Sequence, residues 1–166
     1  MSVRRLNHAV LYVRDVERAV AFYTEALGFR VDTEVPGRAA FLSAEGTAND
    51  HDLGLFAVGD HAPGPEHGRV GLYHLAWEVG TLGELADIAA ELAGRGALVG
   101  ATDHLVSKSL YAKDPDGNEF EVMWRVPRAD WPGADEPDRL LPLDLDAALE
   151  RWGPGLKTGA AAGSAT

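Results

Sequence analysis

The chain has 166 residues, 46% hydrophobic and 25% charged, with a formal charge of −11 and no cysteine. That size supports one domain with a real core, or two small fused modules. The acidity argues against nonspecific nucleic-acid binding, which needs clustered Lys and Arg, and against anionic membranes as partners. Without cysteine, disulfides, thiolate zinc sites and cysteine nucleophiles are excluded. No apolar run approaches the roughly 20 residues of a spanning helix. Residues 1–5 lead into a strand without the apolar stretch of a signal peptide, so a cytoplasmic protein is expected.

Residues 6–13 alternate as a strand and carry His8. Asp15 then stands where a helix N-cap belongs. Val16, Ala19, Val20, Phe22, Tyr23, Ala26 and Leu27 recur at helical spacing, and Gly28 fits the position just past the helix end. Residues 29–31, 39–42 and 53–58 read as strands, with turn chemistry over 44–50. The Gly- and Pro-rich stretch 61–68 is a linker, and its His61 and His67 read as solvated.

The pattern then repeats. Residues 72–79 form a strand carrying His74, and Thr81 caps a helix whose stripe is Leu82, Leu85, Ile88, Ala89 and Leu92. Gly94 closes it, twenty residues after His74 as Gly28 is after His8. Strands are expected over 97–99, 109–112 and 119–124, the last carrying Glu121 after the turn Asp114-Pro115-Asp116-Gly117-Asn118. The unit is βαβββ, used twice. Beyond it, 127–152 is an extension with a short helix capped by Asp144, and the Gly- and Ala-rich segment 153–166 reads as a flexible tail.

His8, His74 and Glu121 each interrupt an apolar run. Burying a polar group is costly without a partner, and imidazole with carboxylate is a usual donor set for a divalent ion. The two histidines are mates under the repeat, which favours a shared metal over two separately satisfied core histidines. Trp77, Met123 and Trp124 read equally well as pocket lining or core. Glu119 shares a strand face with Glu121.

Residues 3–126 resemble the vicinal oxygen chelate superfamily of glyoxalases, bleomycin-resistance proteins and extradiol dioxygenases. Two stretches carry the resemblance. One is Tyr111-Ala112-Lys113-Asp114-Pro115-Asp116-Gly117-Asn118-Glu119-Phe120-Glu121. The other runs from Leu6-Asn7-His8 to Phe22-Tyr23-Thr24-Glu25-Ala26-Leu27-Gly28-Phe29. The resemblance implies an α+β fold over 1–126. In it two βαβββ modules, about 3–60 and 69–126, pair into one domain whose concave mixed sheet encloses a metal site. It implies His8, His74 and Glu121 as ligands, Fe(II) first among Mn(II), Zn(II) and Ni(II) as the metal, and an aromatic diol and O2 as partners. It leaves a homodimer open.

Within that superfamily His51, Tyr111 and His104 resemble the active-site residues of single-domain catechol 2,3-dioxygenase-like enzymes. His51 would carry protons, Tyr111 would donate to a substrate oxygen, and His104 would anchor substrate or oxygen. Each also has an ordinary reading, as a loop histidine, a half-buried strand tyrosine and a solvated loop residue. His51 could instead be a fourth metal ligand. A glyoxalase- or epimerase-type isomerase and a metal-free, bleomycin-resistance-like binder are the alternatives. The isomerase needs a glutamate or glutamine base, and the first-half strand matching that of Glu121 offers His51 and Asp52.

Overall fold

The computed structural model describes residues 2–133 and 139–160. By chain contacts it divides into two compact units: Met1–Glu66 with Asp114–Asn118, and His67–Lys113 with Glu119–Thr166. Each is built on one mixed sheet.

In the first unit, β1 (Ala9–Val13) leads to α1 (Val16–Leu27), followed by β2 (Arg30–Val35), β3 (Ala39–Ser43) and β4 (Leu53–Ala57). The helix starts where expected: the Asp15 carboxylate accepts from the Arg18 N–H at 2.9 Å. It stops at Gly28, whose φ of 71° is a conformation glycine adopts without a Cβ clash. The sheet order is β1-β4-β3-β2, with β1 parallel to β4 and the other pairs antiparallel. Alternation along β1 sends Leu11 and Val13 inward and leaves Val10 and Tyr12 exposed. Leu42, Leu53 and Leu55 pack with Val16, Ala19, Phe22, Tyr23 and Ala26 of α1 in the core. Each fully buried aliphatic side chain contributes about 1.5–3 kcal/mol.

The segment Asp114–Asn118 also belongs to this unit, although in sequence it joins two strands of the other. Its geometry explains the Asp-Pro-Asp-Gly-Asn motif. Asp114 Oδ1 accepts from the backbone N–H groups of Asp116 and Asn118, each at 2.9 Å. Asp114 Oδ2 accepts from the Asn118 amide at 2.9 Å and from the Tyr23 hydroxyl at 3.1 Å. Gly117 supplies the positive φ of 91° that the turn requires. Asp116 Oδ1 meets Arg14 at 3.0 Å and Arg18 at 2.8 Å. Burial, followed by the charge of Asp114 and its hydrogen bond, holds the Tyr23 hydroxyl well above its usual pKa.

The second unit repeats the order with β5 (Leu75–Glu78), α2 (Leu82–Gly94), β6 (Leu98–Asp103), β7 (Ser107–Lys113) and β8 (Glu119–Arg125). It adds β9 (Leu141–Pro142) and α3 (Leu145–Trp152). The sheet order is β5-β8-β7-β6-β9. Thr81 and Glu84 form a reciprocal capping box. The helix end differs from expectation. Gly94 is the last helical residue, and the left-handed residue is Gly96, at φ 66°. The closing bonds, Gly96 N–H to Ala93 O at 3.0 Å and Ala97 N–H to Leu92 O at 2.9 Å, fix it there. The Arg95–Glu91 pair at 2.6 Å straps the last turn.

Asp144 caps α3 through the Ala147 N–H at 2.9 Å, as its spacing predicts. Residues 153–160, expected in a flexible tail, are held by this unit. Trp124 Nε1 donates to Leu156 O at 3.1 Å, and the Thr158 hydroxyl accepts the Arg125 N–H at 2.9 Å and donates to Glu78 at 2.7 Å. Backbone groups and one threonine do this work, so a Gly- and Ala-rich composition conceals it. Residues 134–138 of the extension and 161–166 of the tail lie outside the described residues. No helix among the described residues is long and apolar enough to cross a membrane.

Candidate active site

His8 and His74 are not at strand centres. Each is the residue immediately before its strand, since β1 starts at Ala9 and β5 at Leu75. His8 is exposed, so the cost of burial does not apply to it; His74 is half-buried. Glu121 lies in the middle of β8, paired with Ala76 on one side and Tyr111 on the other.

In the first unit, the Nδ1 of His8 shares a hydrogen with Asn7 Oδ1 at 2.9 Å, and its ring lies 4.6 Å from that of His51. Asn7 is braced in turn by Asn49, whose Nδ2 donates to Asn7 O at 2.8 Å and to Asp52 at 2.6 Å. His51 Nδ1 bonds Asp50 Oδ2 at 3.1 Å. Asp50 is held below the usual carboxylate range by a bond from its own backbone N–H and by His51. With Nδ1 committed to Asp50, Nε2 of His51 is the free position for a proton. Phe41 packs edge-on against His51 at 5.1 Å and against Phe56 at 5.8 Å.

In the second unit, His74 Nε2 stands 3.2 Å from Glu121 Oε2. Their side chains are 24% and 13% exposed, so the pair is screened but reachable. Two donors about 2.1 Å from one ion, at right angles to each other, stand about 3 Å apart. The pair therefore fits adjacent ligand positions, and nitrogen with carboxylate oxygen suits Fe(II), Mn(II), Zn(II) or Ni(II). His74 Nδ1 is buried without a hydrogen-bond partner among the described residues. Within neither unit does a third His, Asp or Glu among the described residues complete a metal-holding group.

Tyr111 and His104 come together as a pair: His104 Nε2 to Tyr111 OH is 2.8 Å. The ordinary reading of His104 as a solvated loop residue does not describe it. Burial, then the charges of Glu121, Tyr73 and Glu119, raise the Tyr111 pKa, so it stays a hydrogen-bond donor at neutral pH. Tyr73, which the sequence did not single out, stacks on His74 at 4.8 Å. Its hydrogen bond to Glu119, followed by that residue's charge, raises its pKa. Trp124 is fully buried, 5.5 Å from Trp152. His61 and His67 are exposed. A cleft of about 320 Å³ in this unit is lined by Leu105, Lys108, Leu141 and Trp152 among others, but by none of His74, His104, Tyr111 and Glu121.

Register supplies what the motif search missed. In the first sheet Val10 pairs with Gly54 and Gly54 with Phe41. In the second, Ala76 pairs with Glu121 and Glu121 with Tyr111. Counting from His8 and His74 in parallel, Gly54 is the mate of Glu121, and Phe41 the mate of Tyr111. The sequence points to His51 and Asp52 on the matching first-half strand; the position matching Glu121 itself holds glycine, three residues past His51. The repeat contained that signal, had strands 39–42 and 53–58 been aligned to 109–112 and 119–124.

Residues 5–122 match the family model described as the Glyoxalase/Bleomycin resistance protein/Dioxygenase superfamily, and the chain belongs to that superfamily. Among curated relatives it is 32% identical to a catechol-2,3-dioxygenase of Bacillus subtilis, over 92% of this chain and 54% of the relative. It is 33% identical to biphenyl-2,3-diol 1,2-dioxygenase 3 of Rhodococcus globerulus, over 71% of this chain and 62% of that protein. The chain thus spans roughly half to three-fifths of these relatives. Among solved structures, a lactoylglutathione lyase from Agrobacterium tumefaciens is 26% identical with a TM-score of 0.54, covering 74% of this chain and 94% of that one. The α+β fold with two mixed βαβββ sheets is the one expected.

Proposed function

We propose that this chain is a metal-dependent extradiol-type dioxygenase, cleaving a catechol-like ring with O2. His8, His74 and Glu121 would hold the metal, with Fe(II) the first choice. The observation that carries the reading is the 2.8 Å His104–Tyr111 pair, with Tyr111 directly opposite Glu121 in the sheet. A ring-cleaving site needs donors for a substrate oxygen next to its metal ligands, and this pair supplies them. Similarity to catechol and biphenyl-diol dioxygenases supports the same class.

When bound, the metal would supply adjacent positions for the two vicinal oxygens and for O2, and a route for electrons between them. Tyr111, kept protonated, donates to a substrate oxygen. In this role His104 would donate its Nε2–H to the Tyr111 oxygen, which orients the hydroxyl and leaves its own hydrogen for the substrate. His51, anchored at Nδ1 by Asp50, takes a proton from the diol at Nε2 and returns it later as a general acid. Asn7 turns the Nε2 of His8 outward by engaging its Nδ1.

The isomerase reading is disfavoured by Gly54, which leaves no second carboxylate at the mate of Glu121. A metal-free binder would have no use for an aligned His74–Glu121 pair.

The test is anaerobic loading with Fe(II), then oxygen uptake across a catechol panel. One O2 consumed per catechol, with a yellow product, is expected. No uptake with iron bound at stoichiometry overturns the proposal. Turnover of a hemithioacetal instead would favour the isomerase. Less than about one-tenth equivalent of any transition metal after titration would favour the binder.

A further inference from the structure

Among the described residues, Leu105 is the one non-glycine with a positive φ, 67°. It sits in the three-residue loop joining β6 to β7, directly after His104. In such hairpin loops the left-handed position usually falls to glycine. Leucine there needs something to hold it. The Leu105 N–H donates to Asp103 Oδ1 at 2.7 Å, and the His104 N–H donates to Ser107 O at 3.0 Å.

Asp103 Oδ1 is itself fixed by an ion pair with Lys108 Nζ, across the register pair Asp103 and Lys108. The Lys108 side chain is only 5% exposed. Its ammonium also lies over the Trp152 ring of α3, 5.2 Å from the ring centroid. Trp152 is fixed in turn by a bond from its Nε1 to Asp130 at 2.8 Å and by Trp124. Burying a lysine beside a carboxylate is expensive. Neither Asp103 nor Trp152 is a residue of the candidate site, so the location of Lys108 calls for another reason.

We propose that Asp103, Lys108 and Trp152 form a clamp whose role is to hold Leu105 left-handed and thereby to aim His104 at the Tyr111 hydroxyl. This rests on the reading of His104 and Tyr111 as working groups of the site. Lys108 and Trp152 are then positioning residues: they reach the site only through the loop. The extension after residue 126, absent from the βαβββ repeat itself, acquires a purpose as the outer jaw of the clamp.

The test uses the whole 166-residue chain, free of metal, and follows the His104 ring nitrogens by ¹⁵N–¹H correlation spectroscopy. In the wild type one tautomer, fixed by the Tyr111 bond, is expected. Lys108→Met should free Asp103 to turn to water, release Leu105 and average the two ring nitrogens. Asp103→Asn/Lys108→Met keeps an uncharged acceptor for the Leu105 N–H and should restore the wild-type shifts. Leu105→Ile keeps the ion pair but opposes positive φ, and should move His104 as Lys108→Met does. If Lys108→Met does not fold, Leu105→Ile and Trp152→Leu carry the test. With Fe(II) bound, the same variants should lower kcat about tenfold and leave KM within twofold.

Folded variants whose His104 shifts match the wild type overturn the clamp. If the ring nitrogens respond as expected but the wild type consumes no oxygen, the dioxygenase reading fails and the clamp stands.

Discussion

The two halves share one backbone plan and divide the chemistry unequally. Across the first sheet the central row reads Val10, Gly54, Phe41; across the second it reads Ala76, Glu121, Tyr111. The first half keeps the ligand-type histidine and replaces carboxylate and hydroxyl with a bare backbone and an aromatic ring. The second keeps both reactive groups and adds His104. A duplicated fold does not need duplicated side chains: the same register positions carry a carboxylate and a hydroxyl in one copy and a glycine and a phenyl ring in the other.

Swapping residues between the rows sharpens that contrast. The largest effect is expected from Glu121→Ala, which removes the only carboxylate of the row. Metal affinity should fall by about a hundredfold or more, read by titration with Fe(II), while the fold survives. Retained stoichiometric binding would break the assignment of Glu121.

Next comes Tyr111→Phe, which copies the first-half row into the second. A lost general acid or hydrogen-bond donor of this kind costs about 10²-fold in kcat. The reverse change, Phe41→Tyr, should alter kcat by only a few fold. Similar losses in both variants would show that the two rows are not differentiated.

A third contrast concerns pH. Tyr23 is buried against Asp114, and its folded pKa is raised. Raised in the fold, it contributes stability that is complete below the unfolded value of about 10. That contribution is lost as pH rises through the folded value. Denaturant melts should weaken above pH 10 in the wild type, and Tyr23→Phe should flatten that slope. At neutral pH the same variant should lose about 1–2 kcal/mol, since Asp114 gives up a buried donor.

The smallest effect is expected from Arg18→Ala. Its guanidinium is about half exposed, and such pairs contribute about 0–1 kcal/mol. Because Asp116 keeps Arg14, a loss above about 1.5 kcal/mol would mean that the two arginines act as a unit.

What could be read from the sequence follows locality. Asp15, Thr81, Asp144 and Gly28 act on their own helix ends, and their spacing announced them. The repeat, read from the His–Gly distances, led to two βαβββ units. Strand starts were less visible, because Leu6, Leu72 and Tyr73 are apolar without being paired in a ladder. Gly96 was missed because Gly94 sits two residues earlier and the Glu91–Arg95 pair carries the helix past it. Gly54 and Phe41 carry no motif; only cross-strand register gives them meaning. The Asp103–Lys108 pair and its contact with Trp152 likewise carry no motif, because they join a hairpin to a helix more than forty residues later.

The Asp114–Asn118 turn bears on how this molecule assembles. It leaves from β7 and returns to β8, yet outside itself its side chains bond Tyr23, Arg14 and Arg18. The first module therefore lacks part of its contacts until synthesis has passed Asn118. Separately expressed halves cut in the 61–68 linker would each lack something: one the turn, the other the anchor for it. Expression of residues 1–66 alone should give a fragment that unfolds readily, whereas co-expression with 67–166 should restore it.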